Sequence, residues 1–494
     1  MAERRIYTPS VKIQASRVRV LILVGCLLGA VSLGSGPLWS SQISIRSDED
    51  LSDNQPAQET QQPAATPSMP SGAETPSVPN ENAEQAEINP LLQRRATQIQ
   101  ELGPAASEEM KLMAAAVQLL DRESATQWLA GFISSPPLNC PLSEKKKWID
   151  AILNAVERNG LPLSKEITGL VACIISIESG FRADPLAVDP SGRETIADLL
   201  RRAEEQLQQK TGSILQTPPL AGLYAEYRNR YYSRLLSCRT EGDVEVVARS
   251  IAGQLKQDAQ KLPPFMRKIV NRNIDRLCQV VRTKGSMQLN FNRARQVMKD
   301  RDERFIDQEL LDYMYTCQGG VDVGVAALKP MFVQYVARYA TPGDLSWLFF
   351  VGMDYHYGPF SSRNMMEQIR IRDLSGARIA LDGDLLHYDE DGTPLDKDSQ
   401  TLQALRTAFP SVSRDEIFQA FLLEKDPHYI YTNVHRILSE AHQERFGETP
   451  FAVIGELWMG QEAQVKHGSM WKTKAYLKKL DRYLNAIPWD SSPR

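Results

Sequence analysis

Basic residues are not in excess in this chain: 57 Lys and Arg stand against 61 Asp and Glu, a formal net charge of −4 at pH 7. A nucleic-acid partner, which needs a basic face, is therefore not expected. Cysteine is scarce, six in 494 residues, with no CxxC pair and no Cys/His cluster at zinc spacing. The phosphate-cradling GxGxxG and GxxxxGK[ST] loops are missing, as is HExxH, and no nucleophile elbow supports a Ser/His/Asp triad. No metal and no cofactor are expected. Glycine, proline and aromatic residues are not extreme, which excludes fibrous and collagen-like classes. With 42% hydrophobic and 24% charged residues, the composition is globular, with length for two or three domains or one large one.

The start of the chain reads as a targeting segment, residues 1–40. Arg4, Arg5, Lys12, Arg17 and Arg19 precede an uncharged apolar run from Val20 to Trp39. About 20 such residues can span a bilayer, and the basic flank would stay cytoplasmic. Within the run, Leu23-Val24-Gly25-Cys26 is similar to a lipoprotein-processing box, with Cys26 as the lipidation candidate. A cleavable secretory signal is the third option. All three export the chain: the expected location is periplasmic, tethered to the inner membrane by a helix or to a membrane by a lipidated Cys26. Disulfides are permitted there, but five cysteines beyond Cys26 leave at least one unpaired, and small buried side chains are the plainer reading. Residues 41–89 are rich in Pro, Gln, Glu, Ser and Thr, with almost no large apolar residues. They read as a disordered tether that gives an anchored head its reach.

From about Pro90 the pattern is mainly helical. "EEMKLMAAAVQLLDRESATQWLAGF" carries apolar residues at helical spacing, within an N-terminal helical region over 90–144. "KKKWIDAILNAVERNGLPLSKEITGLVACIISIESGF" reads as two helices. Gly160 and Leu161-Pro162 separate them, Ser164 caps the second, and Glu178 stands near its C-terminal end. Helical patterns continue through 193–282. Over 377–395, "ARIALDGDLLHYDEDGTPL" is broken by Asp382-Gly383 and Asp391-Gly392 and suggests a small β-hairpin excursion. It lacks EF-hand spacing, so a solvated turn is the better reading than a calcium loop. The remainder of 371–494 returns to helices.

Three fragments then stand in order: "ESGFRADPLAVDPSG" with Glu178 and Ser179, "KGSMQL" with Ser286, Met287 and Gln288, and "DYHYGPF" with Tyr355, His356 and Tyr357. The order resembles the lysozyme-like lytic transglycosylases of the soluble (SLT) type. Their signature is ESGF, a Gly-rich loop ending in Met-Gln, and a Tyr-Asn-Ala-Gly-Pro run. The resemblance covers residues 145–192 and 283–368. It implies a mainly α fold: a lysozyme-like helical core in two parts, 145–192 and 283–370, with a large helical insertion over 193–282. Roughly 100 residues separate the first two motifs here, where the family keeps them close. His356 replaces the family's Asn and Tyr357 its Ala.

The chemistry implied is cleavage of a glycosidic bond in peptidoglycan glycan strands. The leaving oxygen needs a proton, and a carboxyl group among apolar walls can supply it near neutral pH. Glu178, among Ile174, Ile175, Ile177 and Phe181, has such neighbours in sequence. In the family one Glu acts as acid and then as base, closing a 1,6-anhydro ring on muramic acid without a second carboxylate. A hydrolytic muramidase would need one; Asp184, Asp189 and Asp354 are the possibilities, the first two also reading as turn starters. By resemblance Ser179 orients substrate or acid, Gln288 binds a sugar or peptide stem, and Tyr355 hydrogen-bonds Glu178; Ser286, Met287, His356 and Tyr357 flank them. The bland readings are a helix-end hydroxyl for Ser179, a surface amide for Gln288 and a structural hydrogen bond for His356. A lysozyme-like scaffold that binds peptidoglycan without cleaving it is the alternative function. Cell-envelope protein partners are a further expectation from the class.

Overall fold

Helix Arg122–Ser134 begins where Asp121 accepts a hydrogen bond from the Ser124 amide at 2.8 Å. That cap splits what the apolar spacing presents as one helical stretch. Helix α1 (Glu108–Ala116) stops first, and Leu119 forms an isolated antiparallel bridge with Ser164 before α2 (Arg122–Ser134) starts. The computed structural model describes residues 108–186, 229–260, 283–339, 344–388, 393–454 and 470–489, all in one compact unit. The anchor, Cys26, the tether, Asp189 and the helical patterns over 193–210 and 263–281 lie outside them.

The core is mainly helical, as the sequence implies. Helix α3 (Lys145–Arg158) ends before Gly160, whose φ of +63° suits glycine. Helix α4 (Lys165–Glu178) is capped by the Ser164 hydroxyl, which accepts from the Ile167 amide at 3.1 Å. It is buried from Lys165 through Ser176, because its apolar residues surround the whole axis rather than one stripe. Helix α5 (Glu241–Ala259) follows, then a two-stranded antiparallel sheet, β1 (Thr283–Lys284) with β2 (Leu289–Asn290). Next come α6 (Phe291–Asp300), α7 (Asp307–Met314) and the long α8 (Cys317–Tyr339), which packs on α3 and α1. Helices α9 (Ser346–Tyr357) and α10 (Ser361–Ser375) meet at a tight corner. Gly358 has φ +153° and Phe360 φ +62° there, and buried Asp354 holds the start of α10 through the Ser362 amide and hydroxyl, at 2.8 and 2.7 Å.

The chain continues through α11 (Gln400–Ala408), α12 (Arg414–Phe421), a 3-10 turn (Pro427–Tyr431) and α13 (Asn433–Phe446), which share a smaller core of Leu402, Leu405, Ile417, Phe421 and Leu438. Fully buried Arg363 ties this part to the rest, donating to Gln334 of α8 and to the carbonyls of Glu424 and Asp426. Helix α14 (Met470–Leu484) returns to the main core and packs on α4 and α9.

Among the described residues the two-stranded sheet lies outside the stretch with the Asp-Gly pairs. Over 377–395 the described flanks pair antiparallel through a bridge, Tyr388 with Pro394, and the Leu395 amide donates to the His387 carbonyl at 2.8 Å; residues 389–392, Asp391-Gly392 among them, lie outside the described set. Gly383 is spent on packing instead: a Cβ there would lie 2.9 Å from Ser361. The observed sheet is the short hairpin that carries the Met-Gln motif. Cys140, Cys173, Cys238 and Cys317 are buried free thiols. Among the described residues no helix is long and apolar enough to cross a membrane, and Val20–Trp39 is not among them.

Candidate functional site

Glu178 is the last residue of α4, where the buried helix reaches the edge of the core. The chain turns sharply after it. The Ser179 hydroxyl donates to the Ile175 carbonyl at 3.0 Å and accepts from the Arg182 amide at 3.3 Å, so Ser179 closes the helix end. Gly180 and Phe181 both adopt positive φ, +62° and +59°. That is costly for phenylalanine, and burial of its ring edge-to-face on Trp148, 5.6 Å between centroids, offsets it. Two successive left-handed residues thus turn Phe181 into the core against α3 and leave Glu178 at the edge.

His356, in the last turn of α9, meets Glu178 there: Nδ1 lies 3.0 Å from Oε1. The side chains are 7% and 15% exposed, so the pair is largely removed from water while the carboxyl keeps a reachable edge. One proton suffices to bond them, carried by Nδ1 to a carboxylate or by the carboxylic acid to a bare Nδ1. Tyr476 of α14 lies flat on the imidazole, 3.8 Å between centroids and 12° between planes, and Tyr357 meets its edge at 5.1 Å.

Tyr355 differs from its expected role. Its hydroxyl donates to the Met287 carbonyl at 2.9 Å, and the hydrogen bond to Glu178 comes from the next residue, His356. Burial, and then the charge of Glu178, push the Tyr355 phenol well above its ordinary value; the Tyr476 phenol is raised by the same two causes. Both phenols therefore lie within electrostatic reach of Glu178 and stay protonated.

The Met-Gln hairpin is held from below and behind. Gly285 has φ +73°, and a Cβ there would lie 2.3 Å from the Met314 carbonyl. Ser286 and Met287 are fully buried against two glycines one turn apart on α8: a Cβ at Gly320 would meet Ser286 Oγ at 2.7 Å, and one at Gly324 would meet Met287 Sδ at 2.3 Å. The Gln288 amide donates to the Glu241 carboxylate at 2.9 Å and to the Gly285 carbonyl at 3.1 Å, and accepts from the Thr283 hydroxyl at 2.9 Å. The side chains of Ser286 and Met287 are therefore buried, that of Gln288 is half-buried and engaged by Glu241, and the motif meets Tyr355 through the Met287 carbonyl.

Two of the possible second acids have structural partners. Asp354 is fully buried and accepts from Tyr335 at 2.5 Å and from Ser362; burial pushes its carboxyl up to about 7. Asp184 accepts from the Gly242 amide at 2.9 Å, and burial raises it as well. Among the described residues no group of His, Cys, Asp and Glu is arranged to hold a metal ion.

The structure thus brings together Glu178, His356, Tyr355 and Tyr357 with the backbone of Met287. Sequence reasoning missed three contributors. Glu241 and Glu245 lie on α5, in the stretch read as an insertion: Glu241 holds Gln288, and Glu245 pairs with Lys284 at 2.6 Å, both groups buried. Tyr476 is the third, and nothing in the local pattern of α14 marks it.

No solved structure is significantly similar to the chain. The chain is 24% identical over 248 residues to "Uncharacterized protein YaiW" of Escherichia coli (strain K12), a match covering 50% of this chain and 60% of that relative's length. The model of the family described as "Protein of unknown function (DUF1615)" matches residues 141–463, a span that includes Glu178, the Met-Gln hairpin and His356. With most of its length, motifs included, inside that match, the chain belongs to the DUF1615 family.

Proposed function

We propose that the protein is a membrane-tethered peptidoglycan lytic transglycosylase of the cell envelope. The observation that carries this reading is Glu178, at the end of a buried helix, 15% exposed and held at 3.0 Å by His356. The protonated Glu178 gives its proton to the bridging oxygen between MurNAc C1 and GlcNAc as that bond breaks. The resulting carboxylate takes the proton of the MurNAc C6 hydroxyl, whose oxygen bonds to C1 and closes the 1,6-anhydro ring. Protons balance and no water is consumed. His356 holds the carboxyl through both steps, and the Met287 carbonyl holds Tyr355 beside it. The engaged hydrogen bonds of Asp354 and Asp184 favour this single-acid route over hydrolysis by a carboxylate pair.

A second reading, a glycan-binding scaffold without activity, is favoured by one observation: the Ser286 hydroxyl is buried and the half-buried Gln288 amide is already engaged by Glu241. Full-length protein incubated with purified peptidoglycan, its soluble products resolved by mass spectrometry, separates the readings. Anhydro-muropeptides are the expected products. Reducing-end products instead would make it a muramidase, and an empty digest with retained glycan binding would make it a scaffold. The tether and any envelope partners belong to the same proposal, which requires the protein to fractionate with membranes.

A further inference from the structure

A histidine ring plane is weakly fixed by its own torsion, since χ2 has a broad two-fold preference. The 3.0 Å contact of Nδ1 with Glu178 locates one ring atom. Turning the ring over keeps its plane but presents a carbon to Glu178, so that contact selects Nδ1 over carbon and does not set the plane. The plane is restrained where the ring packs: Tyr357 meets its edge, and its face lies on Tyr476, nearly parallel at 12°.

Tyr476 is itself fixed. It is 5% exposed, and its hydroxyl donates to the Gly352 carbonyl at 3.1 Å. Gly352 precedes His356 by four residues, one turn back on the same face of α9. The absent side chain at 352 lets α14 approach: a Cβ there would lie 2.7 Å from a methyl of Leu480, itself four residues beyond Tyr476. The two helices therefore register as an antiparallel pair of contacts, Gly352 with Leu480 and His356 with Tyr476. Leu480 is fully buried in the main core, so this register is anchored away from the rim.

We propose that Tyr476, supplied by the C-terminal helix, is a positioning residue for Glu178: its ring sets the plane of His356, and within that plane Nδ1 reaches the carboxyl. The idea rests on the functional reading above for its consequence in turnover, but its structural content stands apart from that reading. The helix that supplies Tyr476 lies beyond residue 463, where the family match ends, so the site is completed from outside that span.

The test uses the full-length chain labelled with 13C at histidine Cε1. Six histidines give a short spectrum, and His356→Gln identifies the resonance of interest. Wild type is compared with Tyr476→Phe, which keeps the ring, and Tyr476→Leu, which does not; Tyr476→Met replaces the leucine variant if the latter does not fold. The expected result is that Phe leaves the His356 titration and the turnover of peptidoglycan within about twofold. Leu or Met shifts the His356 midpoint by about half a pH unit or more and lowers kcat about 10- to 100-fold with KM little changed. A ringless variant whose His356 titrates as in wild type overturns the proposal. An inactive wild type would contradict the functional reading alone, because the titration is read without substrate.

Discussion

At the scale of single residues, the site is an acidic residue at a helix end with a histidine on it, and its neighbours are set by burial. Asp354, one residue before Tyr355, shows what burial does where hydrogen bonds from Tyr335 and Ser362 and the charge of Arg363 offset it only in part: its carboxyl is pushed up to about 7. Between its ordinary value near 3.8 and that value, the folded state binds the extra proton, so stability falls as pH rises through this window. Glu424, pushed up to about 8 mainly by burial, acts in the same direction. Each group contributes a slope on the order of 1 kcal/mol per pH unit at most. Replacing Asp354 by Asn retains an acceptor for Ser362 and removes its share of the slope. Melting temperatures across about pH 5 to 7.5 should fall less steeply in Asp354→Asn than in wild type; parallel curves would place the proton elsewhere. The place of Glu178 at the end of a buried helix was legible in the sequence, because ESGF follows an apolar run at helical spacing. The partner was misassigned by one position, Tyr355 for His356, since a helix end fixes which residues are near but not which side chain turns inward.

At the scale of elements, the Ser164 cap and the buried axis of α4 follow from local chemistry and were legible. The Met-Gln hairpin was not: the Gly-Ser-Met-Gln turn is short, and its conformation depends on α8 behind it. That dependence gives a contrast between two substitutions. Ser164→Ala removes the cap of α4, which costs about 1 kcal/mol and lowers the melting temperature by a few degrees, with activity per folded molecule unchanged. Gly324→Ala inserts a methyl group 2.3 Å from Met287 Sδ. Overpacking of this kind costs about 1–3 kcal/mol. It also displaces the residue whose carbonyl holds Tyr355, so activity should fall together with stability. Thermal melts read beside turnover check both, and equal loss of activity in the two variants would detach the hairpin from the site.

At the scale of the whole molecule, the described part of the stretch read as an insertion is built into the core. Glu241 and Glu245 of α5 grip the hairpin, so this helix supports the site it interrupts in sequence. The C-terminal part is likewise joined, through Arg363 on one side and through α14 on the other. These links were illegible because each joins residues distant in the chain: Gln288 and Glu241 are 47 positions apart, and Tyr476 contacts a ring 120 positions before it. A sequence pattern reports which face of a helix is apolar, and it does not report which distant helix covers that face.

Glu178→Gln is the substitution that isolates the chemistry, since it keeps the size and a carbonyl acceptor for His356 while removing the proton donor. Wild type and variant would be digested side by side against purified peptidoglycan, with melting temperature and glycan binding measured on both. Anhydro-muropeptides from the wild type, with a loss of about 100-fold or more in a variant that melts and binds as wild type does, is the predicted result. Equal product from the two chains would contradict the assignment of Glu178 as the acid.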